Sequence, residues 1–150
     1  MRPHEFAEQL RRLVKPAWVR PPATLDEIRS VEGRLGIVVP DDLRAFYSSV
    51  GGADEPTPLD NGWMTFWPLE RWENGVGEAK NGLGLTLIAD YGIESWCYGA
   101  QMSARAETPI FIVDGIRPAR LVAASFPAFV AAALGDDRSI YAEPLERGAG

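Results

Sequence analysis

The sequence predicts an α+β fold, with N-terminal helices, a mostly antiparallel sheet of four to six strands and a C-terminal helix. Three observations predict it. Apolar residues recur at helical spacing as far as Gly52. Short apolar runs between turn-forming residues then follow, from residue 63 to residue 124. Helical spacing returns after Ser125, and helices, then strands, then a helix are typical of the α+β class.

The 150 residues fit one domain, with its core in residues 24–134. A first helix in residues 1–15 ends before Pro16, because a residue that precedes proline is pushed out of the α region. Thr24 and Glu27 form a predicted capping box that starts a second helix, which Gly36 ends. The predicted buried faces are Phe6, Leu10, Leu13 and Val14 in the first helix, and Leu25, Ile28, Val31 and Leu35 in the second.

Asp41 and Asp42 stand side by side behind Pro40, as a pair of catalytic acids could. The spacing favours a helix start instead. Proline suits the first helical position, and carboxylates are stabilised near the unpaired N–H groups of a first turn. Gly51 and Gly52 stop this third helix.

Strands are predicted at five places, with a tight turn at residues 91–94 between the second and the third. The strands are residues 63–69, 85–90, 95–100, 108–115 and 119–124. Residues 73–84 are predicted to form a glycine-bearing loop. Ser125 caps the last helix, and the tail at residues 136–150 is polar and expected to be loose at its end. The buried face of the last helix is Phe126, Phe129, Val130, Ala133 and Leu134.

The net charge of −6 comes from the middle of the chain. Residues 54–94 hold eight acidic and two basic side chains, whereas the flanking parts are nearly neutral. An acidic chain argues against direct binding of nucleic acid, which needs clustered Lys and Arg. The same segment holds Trp63, Trp67 and Trp72. Acidic side chains can steer a partner and aromatic side chains can anchor it, so their occurrence together favours a binding interface. A merely solvated acidic face is the alternative.

No catalytic or metal-binding pattern emerges. His4 is the only histidine and lies near a terminus, and Cys97 is interpreted as a structural thiol on a strand. The glycines of residues 75–84 lack the Gly-Lys-Ser/Thr of a phosphate loop. We therefore expect no enzyme activity, no cofactor and no metal. No apolar run reaches the ~20 residues of a membrane span, and the first residues lack the apolar core of a signal peptide. A cytoplasmic protein without a membrane partner is predicted.

Five segments in order resemble the SUKH superfamily, and within it the Smi-one/Knr-four group. They are VEGRLGIVVPDDLRAFYSSVGG (31–52), FWPLERW (66–72), LIADYGIESWCYGA (87–100), PIFIVDG (109–115) and SFPAFVAAAL (125–134). The resemblance covers residues 24–134. One departure is Gly51-Gly52 where Asn-Gly is usual, which keeps the helix stop.

The resemblance implies a non-enzymatic binding fold. Bacterial members of the group look like immunity proteins that bind and neutralise a toxin, often a nuclease or deaminase, and fungal relatives act as regulators of cell-wall synthesis. We expect an immunity protein whose acidic surface occludes a basic cognate toxin, as a monomer or weak homodimer. A regulatory adaptor for an endogenous partner is the alternative.

The resemblance assigns no contact residue, so the predicted interface follows from charge and aromatic content alone. Trp67 is left open between core and surface, and Trp96 is expected in the core or in a pocket wall. The predicted partner-binding residues are Asp54, Glu55, Asp60, Trp63, Trp72, Glu73, Glu78 and Glu94.

Overall fold

The structure, a computed structural model, describes residues 1–75 and 84–142. Its helices are α1 (Pro3–Leu13), α2 (Leu25–Leu35), α3 (Asp41–Tyr47) and α4 (Phe126–Leu134). Its strands are β1 (Met64–Phe66), β2 (Glu73–Asn74), β3 (Leu85–Tyr91), β4 (Trp96–Gln101), β5 (Ile110–Val113) and β6 (Arg120–Ala123). The predicted α+β order of elements is confirmed. None of the helices in these two ranges is long and apolar enough to cross a membrane.

The helix ends follow the predicted capping chemistry, with two corrections. Thr24 and Glu27 form the capping box of α2, and Gly36 ends that helix at a φ of 66°. Pro40 does not occupy the first helical position of α3, because its ψ of 159° is extended, so it precedes the helix as N-cap. Leu25 was predicted to be buried but is 52% exposed, because it is the first residue of α2 and the buried face of the helix begins at Ile28.

The strands form one antiparallel sheet in the order β1-β3-β4-β5-β6, and β2 also pairs with β3. The pairs Met64–Tyr91 and Glu73–Leu87 show that β1 and β2 lie one after the other along the same side of β3. The prediction of a loop was therefore wrong for Glu73 and Asn74, because pairing with β3 satisfies their backbone. Residues 76–83 of that predicted loop lie outside the described residues.

The helices and one face of the sheet share a core that is rich in aromatic rings. Phe6 of α1 packs edge-on against Phe66 of β1, with ring centroids 5.0 Å apart. Phe46 of α3 and Phe126 of α4 meet in the same way at 5.2 Å. Phe129 is buried against Tyr98 of β4. The predicted buried face of α4 is confirmed, because its five residues all lie in this core.

The first part of the polar tail after α4, as far as residue 142, packs against the sheet, whereas the end that was predicted to be loose lies outside the described residues. Arg138–Ile140 form a short 3-10 turn, and Ile140 is only 1% exposed. The Tyr98 hydroxyl donates a hydrogen bond to the carbonyl of Ile140 at 2.8 Å. An apolar side chain and a buried hydroxyl thus fix residues 138–142 against the sheet. Residues 143–150 lie outside the described residues.

Candidate partner-binding surface

Two arginines bind half of the acidic side chains of the central segment. Arg20 forms ion pairs with Asp54 at 2.9 Å and Glu70 at 2.7 Å. Arg71 forms ion pairs with Asp90 and Glu94. The segment is therefore less negative as a surface than as a sequence, because folding brings Arg20 to it from outside.

Three acids of the segment remain exposed without an ion pair among the described residues. They are Glu55, Asp60 and Glu73. Glu73 lies on β2 opposite Leu87, whereas Asp60 lies in a 3-10 turn, Leu59–Asn61. Glu78, which was also predicted to bind the partner, lies outside the described residues.

Asp90 has a structural role. It is 1% exposed, and its carboxylate accepts hydrogen bonds from the indole N–H of Trp67 at 2.6 Å and from Arg71 at 3.2 Å. The Arg71 guanidinium also lies 4.3 Å from the centre of the Trp67 ring. Trp67, which the sequence left open, is thus a buried residue whose indole N–H is paired with a buried carboxylate.

Trp72 was named among the predicted partner-binding residues, but it is not an exposed anchor. Its ring is 1% exposed and packs edge-on against Tyr47 at 5.0 Å. The indole N–H donates to the carbonyl of Trp67 at 3.1 Å, and Arg34 of α2 donates to the carbonyl of Trp72. The preceding 3-10 turn, Leu69–Arg71, directs the side chain inward from an acidic surface segment.

A cleft of about 580 Å³ lies at the end of the sheet where β3 passes into β4. We call it the aromatic cleft. It is lined by Leu59, Asp60, Tyr91, Trp96, Asp136, Arg138, Tyr141 and Ala142. The Tyr91 and Trp96 rings are stacked with centroids 4.2 Å apart and planes 1° apart, and Tyr141 lies 4.8 Å from Tyr91. Trp63 packs edge-on behind Tyr91 at 5.6 Å. Of the predicted interface, Asp60 thus lines this cleft, and Trp63 packs against one of its rings.

Strand register and one close backbone approach build the cleft. Tyr91 and Trp96 are direct partners in the β3–β4 pairing, so their side chains project from the same face. The turn that carries Asp60 is closed by Thr57, whose hydroxyl donates to the carbonyl of Asn61 at 2.8 Å. Gly62 follows with a φ of 93° and lies directly against the carbonyl oxygen of Ala133, where a Cβ atom would not fit. The turn therefore packs closely on the end of α4.

Two carboxylates and one guanidinium, those of Asp60, Asp136 and Arg138, line the aromatic cleft. The Tyr141 hydroxyl donates a hydrogen bond to Asp136. Desolvation first, and then this hydrogen bond and the charge of Asp136, raise the pKa of Tyr141. Tyr141 is thus a neutral donor at physiological pH, and the net charge of the lining is negative.

Unfavourable backbone conformations concentrate around the cleft. Among the described residues, the non-glycine residues with positive φ are Trp63, Ile93, Glu94 and Asp136. Trp63 backs the cleft, Asp136 lines it, and Ile93 and Glu94 lie in the turn that joins Tyr91 to Trp96. Such conformations cost about 1–3 kcal/mol each and cluster at functional sites. Their location therefore supports a functional role for this surface.

His4 and Cys97 are the two side chains that were considered for nucleophilic catalysis. His4 is exposed on α1. Burial raises the pKa of the Cys97 thiol to about 11, and the charges of Asp90 and Glu94 act in the same direction. A thiol protonated at neutral pH is a poor nucleophile. Within residues 1–75 and 84–142, no three His, Cys, Asp or Glu side chains are grouped as a metal site.

A larger cavity of about 800 Å³ lies at the opposite end of the sheet, between residues 36–44 and residues 102–105. Arg44 and Arg105 line it, and Arg44 already binds Glu32 at 3.1 Å and the carbonyl of Val39. The cavity lacks aromatic side chains among its lining residues. Because aromatic anchors dominate binding energies at interfaces, we regard the aromatic cleft as the stronger candidate.

Sequence reasoning missed six of the residues that line the cleft, namely Leu59, Tyr91, Asp136, Arg138, Tyr141 and Ala142. Tyr91 could have been inferred from the predicted hairpin, because a turn at residues 91–94 places residue 91 opposite the start of the next strand. No sequence signal pointed to Asp136 or Tyr141, since the polar tail shows no periodicity. Trp96, expected in the core or in a pocket wall, is half-buried in the wall of the cleft.

The fold and the cleft define a small α+β protein with helices on one face of an antiparallel sheet and aromatic side chains at its end. The chain matches the SMI1 / KNR4 family (SUKH-1) over residues 22–132, and it belongs to this family. The family is generally non-catalytic and is known for immunity proteins and Smi1/Knr4-type members. Comparisons with curated proteins and with solved structures give no match.

Proposed function

We propose that this protein is an immunity-type binding protein that neutralises a partner protein toxin by direct binding. The observation that carries the proposal is the aromatic cleft, in which stacked rings and two carboxylates are accessible at one end of the sheet. Membership of a generally non-catalytic family that includes immunity proteins supports it. Binding at the cleft blocks the toxin sterically, so no chemical step is needed.

Aromatic and acidic groups have different roles in this mechanism. Tyr and Trp rings supply large contact area with few rotatable bonds, and such residues are enriched among the anchors of interfaces. The exposed acids Glu55, Asp60 and Glu73 add a negative field that attracts a basic toxin. The net charge of −6 acts in the same direction at long range. The proposed toxin is therefore basic, as a nuclease that binds phosphates would be.

The test is co-expression with the toxin encoded in the adjacent reading frame, measured as cell growth and as a complex that survives size-exclusion chromatography. In the variant Leu59→Lys, an exposed residue of the cleft gains a positive charge that repels a basic partner. Val38→Lys is the matched control, because Val38 is 70% and Leu59 64% exposed, and Val38 lies at the opposite end of the sheet.

We expect Leu59→Lys to lose protection and Val38→Lys to keep it, with both variants folded by circular dichroism. Equal protection by the two variants contradicts the assignment of the interface to the cleft. If the wild-type protein neither protects cells nor forms a complex, the immunity function is wrong. A stable complex with an endogenous non-toxic protein would instead identify a regulatory adaptor.

A further inference from the structure

We propose that the aromatic cleft receives an arginine side chain of the partner, with the guanidinium against the aromatic rings and beside Asp60 and Asp136. This inference rests on the proposed function, because it names the chemical group of the toxin that the cleft binds. It follows from the lining of the cleft and from an arginine that the chain itself binds in the same manner.

The rings provide a surface for a cation. Tyr91, Trp96 and Tyr141 come together in the cleft, with Tyr91 within 5 Å of both other rings. The face of an aromatic ring carries negative potential and attracts a cation placed over it. A volume of about 580 Å³ lies in the range of small-ligand pockets and accommodates one long side chain.

The carboxylates provide the counter-charge. Asp60 is exposed and forms no ion pair within the described ranges. One carboxylate oxygen of Asp136 accepts a hydrogen bond from the hydroxyl of Tyr141, so the other oxygen can accept a hydrogen bond from a guanidinium. Arg138 opposes them with one positive charge, which leaves the lining net negative. An incoming cation is therefore favoured over an anion.

Arginine fits this lining better than lysine. A guanidinium is planar, stacks on aromatic faces and donates in a fixed fork to carboxylates. An ammonium group is compact and more strongly hydrated, so it gains less from a ring surface. Tyr91 and Trp96 cover one face of each other, so the contact surface for a guanidinium is what remains exposed of Trp96 and Tyr141 beside the carboxylates.

The same chemistry already holds Arg71 elsewhere in this chain. Its guanidinium lies over the Trp67 ring at 4.3 Å and contacts the carboxylates of Asp90 at 3.2 Å and Glu94 at 3.3 Å. Asp90 precedes Tyr91 in β3, and successive side chains of a strand project to opposite faces, so this arrangement lies on the other face of the sheet from the aromatic cleft. The intramolecular example shows that a ring and two acids of this protein hold a guanidinium together.

The experiment titrates the full-length protein with the blocked tripeptide Gly-Arg-Gly and follows the indole N–H signals of the tryptophans by NMR. The Trp96 signal is assigned through Trp96→Phe. The control peptides carry citrulline, which has the same shape without charge, and lysine. We expect the Trp96 signal to shift saturably, with binding of the arginine peptide about fivefold or more tighter than that of the citrulline peptide. The lysine peptide should be intermediate.

Two variants test the roles of the charges. Asp136→Asn should abolish the preference for the arginine peptide over the citrulline peptide. Arg138→Gln should strengthen binding of the arginine peptide, because it removes a competing cation. Glu107→Gln is the control, because Glu107 is exposed and does not line the cleft. It should change nothing beyond a small effect of net charge.

Equal binding of the arginine and citrulline peptides, or no shift of the Trp96 signal, would overturn the inference. Because the peptides need no toxin, this failure is distinct from failure of the proposed function. Protection of cells by a protein without arginine preference would overturn only the inference. Arginine binding by a protein that never complexes a toxin would overturn only the immunity role.

Discussion

Asp42 connects three separate parts of the chain through one carboxylate. It accepts hydrogen bonds from the N–H of Leu43 at 2.7 Å and from the N–H of Phe126 at 2.9 Å. It also accepts the N–H of Thr108 at 2.9 Å and the hydroxyl of the same residue. The carboxylate thus joins the N-terminus of α3, the N-terminus of α4 and the segment that precedes β5. Its neighbour Asp41 is exposed in the same helical turn.

We predict that Asp42→Asn lowers the free energy of unfolding by about 2–3 kcal/mol. An amide has one acceptor oxygen and places an NH₂ group against backbone N–H donors, so some of these donors lose their partner. Asp41→Asn should cost at most about 1 kcal/mol, because it weakens only an interaction with the helix dipole. Urea unfolding of the two variants measures the difference.

The comparison also separates a structural role from a catalytic one. Folded Asp42→Asn should bind its partner with wild-type affinity, since the carboxylate is occupied by backbone and hydroxyl donors of the same chain. Equal stability of the two variants would contradict the role assigned to Asp42. Loss of function at full stability would restore the catalytic pair that the sequence pattern suggests.

At the scale of elements, the turn that carries Asp60 depends on Gly62. The turn starts after Thr57, whose hydroxyl accepts the N–H of Met64 at 3.0 Å, and Trp63 donates its backbone N–H to Pro58. Gly62 has positive φ and lies against the backbone of Ala133 in α4. The contact sets the distance between the turn and α4, and with it one side of the aromatic cleft.

We predict that Gly62→Ala destabilises the protein by about 2–5 kcal/mol, through backbone strain and through a clash with the carbonyl of Ala133. Gly115→Ala is the matched control, because Gly115 has a φ of 80° but nothing within 4 Å of a Cβ atom. The control variant should lose only the free energy of the backbone strain, about 1–2 kcal/mol. Thermal and urea unfolding of both variants check this, and equal losses would show that the close contact with α4 has no energetic weight.

At the scale of the whole molecule, folding redistributes the charge that the sequence concentrates in residues 54–94. Arg20 and Arg71 pair with four of the acids, which leaves Glu55, Asp60 and Glu73 as the exposed unpaired acids among the described residues of that segment. Surface ion pairs contribute little to stability, but they do reduce the field that a partner meets. Steering of the proposed basic partner should therefore depend on these three residues.

We predict that neutralising Glu55, Asp60 and Glu73 together slows association with the toxin about tenfold at low salt. The salt dependence of the association rate should flatten, because screening removes the same attraction in the wild type. Stopped-flow measurements at two ionic strengths check this. The matched control neutralises Glu8, Asp26 and Glu107, which are exposed and do not line the cleft.

The control changes the net charge by the same three units, so it reports the effect of total charge alone. A clearly smaller effect than that of the central variant is expected. If both triple variants associate at the same rate, only net charge matters, and the central acids are a solvated face.

The sequence by itself determined the helices and most strand positions along the chain, because these depend on local chemistry. The capping box of Thr24, the stop at Gly36 and the apolar face of α4 all follow from neighbouring residues, and the structure has them as predicted. The first-turn position of Asp41 and Asp42 follows in the same way. The resemblance of five segments was also sufficient to identify the family, since the matched segments run through most of the chain.

Only the tertiary structure decided which side chains share a surface. Trp72 lies in an acidic segment yet is buried, because α3 brings Tyr47 and α2 brings Arg34 to it. Asp136 and Tyr141 join Tyr91 about fifty residues away in sequence, and no periodic pattern links them. Contacts between residues far apart in sequence depend on how elements pack, so the cleft and its charge emerge only when the chain is folded.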